Sequence, residues 1–96
     1  MTTHYRRMET LEDLRRYVNE MLCDHDQLVV GAFQMTERLL TRCDRPCGVY
    51  FCLHGPRSVR FSAIWDALRN IVLFYGAGGE RFHMTTLTAA PQLAIA

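Results

Sequence analysis

From Phe33 to Thr85 the chain alternates and turns like an up-and-down ladder of short strands, and this pattern limits the possible folds more than any other feature. Val59, Phe61, Ala63 and Trp65 fall on one side of an extended segment, with Arg60, Ser62, Ile64 and Asp66 on the other. Gly48 to His54 and Ile71 to Tyr75 are also extended in character, and Arg81 to Thr85 is the last strand of the ladder. Asp44-Arg45-Pro46, Gly55-Pro56, Asp66 to Asn70 and Gly76-Ala77-Gly78-Gly79 supply the turns between them. Residues 27–42 suit either a helix or a strand. The turn chemistry at Asp44 favours a strand from Phe33 to Arg42, as the hairpin partner of the segment after Gly48.

One helix is evident. Thr10 is a capping residue with Asp13 three positions on, and Leu11, Leu14, Val18, Met21, Leu22 and His25 follow at helical spacing. The predicted helix runs over residues 10–25, about 24 Å long at ~1.5 Å per residue. Residues 1–9 read as a polar arm, and residues 88–96, small and proline-containing, as a loose tail. The expected fold is therefore α+β: one N-terminal amphipathic helix packed on a four- or five-stranded antiparallel meander, in a single domain of 96 residues.

A sheet has two faces, and this chain offers one helix to cover them. Val49, Phe51, Leu53, Val59, Phe61, Ala63, Trp65, Phe82 and Met84 are expected beneath it. Tyr50, Cys52, His54, Arg60, Ser62, Ile64, Arg81 and His83 are expected on the opposite face. The strand 71–75 is apolar on both sides, with Ile71, Leu73 and Tyr75 on one and Val72 and Phe74 on the other. Strands apolar on both sides are usually covered on both. Assigning Phe74 to the open face makes Tyr50, His54, Arg60, Ile64 and Phe74 the expected contact residues, since aromatics and arginine anchor interfaces. The alternative is that residues 26–34 or the tail fold over that face.

Composition narrows the partners. All eleven cations are arginine against ten acids, a formal net charge of +1, so no broad positive field draws the chain to nucleic acid or anionic membranes. No segment approaches the ~20 apolar residues of a membrane span, and the polar start lacks a signal-peptide core. A cytoplasmic location with reduced thiols is the resulting expectation.

Several groupings invite chemistry. His54, Arg57, Ser58 and Arg60 cluster around the Gly55-Pro56 turn and suit an anion or a single-stranded nucleic acid, against the plainer reading of solvated arginines. Cys43 and Cys47 flank a turn, and Cys52 and His54 share a strand face, which suggests a metal site or a thiol switch. The Cys-x-x-Cys knuckle of zinc sites is missing, however, and small packed thiols explain the same residues. The glycine run at 76–79 leads into a strand, whereas phosphate-cradling loops lead into helices. No nucleophile elbow, paired carboxylates or metalloprotease motif occurs, so the expectation is a non-enzymatic module without metal or cofactor. Its partner is a protein or a second copy of itself, with nucleic acid a weaker alternative.

Overall fold

Helix α1 (Leu11–His25) begins where a reciprocal cap closes its first turn. The Asp13 amide donates to Thr10 Oγ1 at 3.0 Å, and the Thr10 amide donates to Asp13 Oδ2 at 3.3 Å. Leu14, Tyr17, Val18, Leu22 and Cys23 are its buried stripe, and the turn ends at Asp26 with Gln27 in the left-handed region. The expected helix is present. The structure is a computed structural model and describes residues 2–89 and 91.

The fold is α+β, with α1 and a mixed, mostly antiparallel sheet of six strands. These are β1 (Thr2–Arg7), β2 (Met35–Arg42), β3 (Arg45–His54), β4 (Arg60–Asp66), β5 (Ile71–Tyr75) and β6 (Arg81–Ala89). Their spatial order is β1-β6-β5-β4-β3-β2. The chain starts at one edge, crosses by way of α1 to the other, and returns strand by strand until β6 pairs with β1 in parallel.

Two boundaries differ from expectation. Residues 2–7 form β1 where a polar arm was expected, because the partner of this segment lies some eighty residues away and no local turn announces it. Residues 88 and 89 belong to β6, and the remainder of the expected tail, apart from buried Pro91, lies outside the described residues.

The β2–β3 connection is also tighter than the turn expected at 44–46. Arg42 pairs with Arg45 around a two-residue turn, Cys43 and Asp44, both with positive φ (52° and 62°). That is the mirror-image turn whose twist suits a hairpin. A bulge follows between Leu40 and Thr41, and Gly48 lies so close to β4 that an added Cβ would collide with the Trp65 carbonyl. Gly76 to Gly79 close the β5–β6 hairpin, with Gly79 at φ 85°.

The core lies between α1 and one side of the sheet. Trp65, Phe51, Phe74, Leu14, Leu22 and Leu53 are its largest fully buried side chains. Leu28 and Phe33 pack against this same cluster, so these residues of the 26–34 segment contribute to the helix side of the sheet.

Candidate functional site

The open face is set by strand register. Tyr50 pairs with Ile64, Ile64 with Leu73, and Leu73 with Met84, giving one transverse row over β3, β4, β5 and β6. Arg38 on β2 extends the row opposite Tyr50, its guanidinium carbon 5.8 Å from the ring centroid. A parallel row holds Thr36, Cys52, Ser62 and Tyr75, and another Leu40, Gly48, Asp66, Ile71, Thr86 and Tyr5. At the top, His54 pairs with Arg60. No described element lies over these rows.

The face is therefore apolar at its centre and polar at its ends. Ile64, Leu73, Tyr75 and Met84 are half-buried by their neighbours alone, and Tyr5 is 71% exposed. Six strands at ~4.8 Å and four rows at about 6.8 Å give a projected area on the order of 500 Å². That area includes the polar ends, so the apolar centre is only a part of it; exposed apolar surface rimmed by polar residues marks interaction sites.

Of the expected contact residues, Tyr50, His54, Arg60 and Ile64 come together here. Arg57 stands exposed in the β3–β4 turn with φ 57°. Phe74 is a correction: it pairs with Ala63 and is fully buried beneath α1, its ring edge-on to Tyr17 at 6.0 Å. Leu73, with Ile71 and Tyr75, takes its place on the open face. The alternation within β5 is as expected. Its phase relative to β4 is the opposite, and residues 71–75 alone carry no signal for that phase.

β6 is corrected in the same way. His83 and Thr85 are buried on the helix side while Met84 lies with Leu73 on the open face, a reversal of the expected assignment. A bulge in the β5–β6 pairing lets Phe82 also reach the helix side, where it stacks on His25 at 3.6 Å.

Charge is distributed unevenly along β4. Arg60 stands at one end of the open face and, among the described residues, enters no ion pair. Asp66 stands at the other. Its Oδ1 accepts from the Leu68 and Arg69 amides at 3.0 and 3.3 Å, and Oδ2 lies 3.8 Å from Arg69 Nε. His54 Nε2 shares a 3.0 Å hydrogen bond with Thr36 Oγ1. On the helix side, Arg15 Nε donates to Glu37 Oε1 at 2.9 Å, and this bond raises the guanidinium pKa against an opposing effect of burial.

The cysteines do not converge. Cys43 occupies the exposed turn and Cys47 is half-buried beyond it; both line a shallow cavity of about 270 Å³ with Arg42, Arg45, Pro46 and Leu68. They are not cross-strand partners, since Arg42 and Arg45 close the hairpin between them. Cys52 is buried on the open face, and Cys23 lies on the buried face of α1, where burial pushes its thiol pKa up. Among the described residues no three His, Cys, Asp or Glu side chains are grouped to hold a metal ion. No described helix is long and apolar enough to cross a membrane.

No protein-family model matches the chain, and no curated protein or solved structure matches it either.

Proposed function

We propose that the chain is a small, non-enzymatic interaction module that docks protein on its open sheet face. The single observation behind this reading is the row Arg38–Tyr50–Ile64–Leu73–Met84, which runs across five strands with no other described element over it. An apolar centre with tyrosines and arginines around it is the composition of a docking surface. Tyr50, His54, Arg60, Ile64 and Leu73 make the contact, with Arg57 at the margin.

A photo-crosslinking side chain at position 73, compared with one at exposed Leu68, tests this in cells that naturally express the chain. The expected result is an adduct at 73 that disappears with Ile64→Glu, while circular dichroism shows the Ile64→Glu variant folded. No adduct at 73 would sink the reading.

A second reading, binding of single-stranded nucleic acid or another anion around His54, Arg57 and Arg60, draws support from Tyr5, Tyr50 and Tyr75 on the same face. Stacking platforms use such aromatics with cationic backbone contacts. Against it, Tyr50 and Tyr75 are two strands and one row apart, about 12 Å, with Ile64 and Ser62 of β4 between them. Oligonucleotide titration at low salt decides: this reading requires binding that weakens steeply as salt is added.

A further inference from the structure

We propose that the occupant of the open face is a second copy of this chain, packed sheet on sheet about a two-fold axis that crosses β4 at Ala63, so that Arg60 of each copy meets Asp66 of the other. The inference rests on the docking reading above and names its partner and symmetry.

In the aligned packing of two sheets, two in-plane two-fold axes can bring this face against itself. An axis along the strands superposes equivalent ends, so the His54–Arg60 end of one copy lies against the same end of the other. That puts unpaired guanidiniums against each other as water is excluded, which is costly. An axis across the strands reverses their direction and keeps their lateral order. β4 then runs antiparallel over its own copy, with Arg60 above Asp66 at both ends.

The same axis fixes the positions between these ends. Ser62 lies over Ile64 of the other copy, Cys52 over Tyr50 and Tyr75 over Leu73, because each pair straddles the same midline in register. Packed sheets align within ~30°, so contacts near the axis on β4 and β5 keep this correspondence best. The electrostatics are met by groups already present. Arg60 has no ion pair among the described residues, and Asp66 Oδ2, only 3.8 Å from Arg69 Nε, has acceptor capacity for a second guanidinium. The projected face, on the order of 500 Å² and raised further by side-chain relief, approaches the ~800 Å² of accessible surface per partner in a standard interface.

The test is the mass of the purified full chain by light scattering and sedimentation over a micromolar concentration series. The wild type is expected to be a dimer, and Arg60→Asp is expected to weaken it at least tenfold while leaving circular dichroism unchanged. Mixing Arg60→Asp with Asp66→Arg restores a dimer, because both contacts then pair opposite charges. If Asp66→Arg fails to fold, Asp66→Asn keeps the turn's acceptor, removes the charge, and must also weaken the dimer. A wild type that stays monomeric to ~100 μM, or a dimer indifferent to Arg60→Asp, overturns the inference. A foreign-mass adduct at position 73 with a monomeric wild type would sink the second copy alone and leave the docking face standing.

Discussion

Thr85 joins the helix to the sheet through a chain of buried polar atoms. Tyr17 Oη lies 2.7 Å from Thr85 Oγ1, which lies 3.1 Å from His83 Nε2, beneath α1. Arg6 stacks over the outer side of the Tyr17 ring, its guanidinium carbon 4.9 Å from the centroid. A hydroxyl between two partners can donate to one and accept from the other, so one threonine satisfies both. Thr85→Val keeps the shape and leaves two buried polar groups without that partner. We expect a loss of about 1–3 kcal/mol in urea unfolding, with little loss for the exposed control Thr41→Val. Little in the sequence marks His83 as a core residue. A histidine beside an arginine on a short strand reads as surface, and only the β5–β6 register reverses that.

At the scale of elements, α1 and β1 differ in how local their causes are. The helix is encoded within sixteen consecutive residues by its cap, its acidic first turn and its apolar stripe. Thr10→Ala removes the side-chain acceptor of the Asp13 amide. It should cost about 1 kcal/mol, read as a lower midpoint in thermal or urea unfolding, while Thr10→Asn should recover most of the loss. β1 has no comparable local signal. Its residues are polar, its partner β6 is at the far end of the chain, and parallel pairing needs a crossover in place of a turn. The hairpins between β3 and β6 were legible because each carries its own turn residues, and the turn chemistry after Arg42 only tipped β2 toward a strand. The tightness of the β2–β3 turn was not, since Cys43 and Asp44 take conformations usually given to Asn and Gly.

For the whole molecule, the consequence is a sheet with one dry face and one waiting face, and neighbours on a strand separate them. Phe74→Ala opens a cavity beneath α1 and should cost about 3–5 kcal/mol. Leu73→Ala, one residue away, should change the stability of the isolated chain by less than ~1.5 kcal/mol while weakening association. Unfolding at two protein concentrations separates the two effects, because only an associating chain gains stability with concentration. A large loss for Leu73→Ala at high dilution would mean that its face is covered within the chain.

The sequence by itself determined the helix, the antiparallel hairpins from β3 to β6, and the division of each of those strands into two alternating sets of residues, while it only favoured β2 as a strand. Those follow from capping, turn chemistry and a side-chain period of two, all of which act over a few residues. Tertiary structure alone decided which set of β5 and β6 meets the helix, and that β1 joins the sheet. Alternation cannot state its own phase: sliding a strand by one residue exchanges its faces. The pairings Ala63 with Phe74 and Val72 with Thr85 settle it, placing Leu73 and Met84 beside Tyr50 and Ile64 on the open face and Phe74 and His83 beneath the helix.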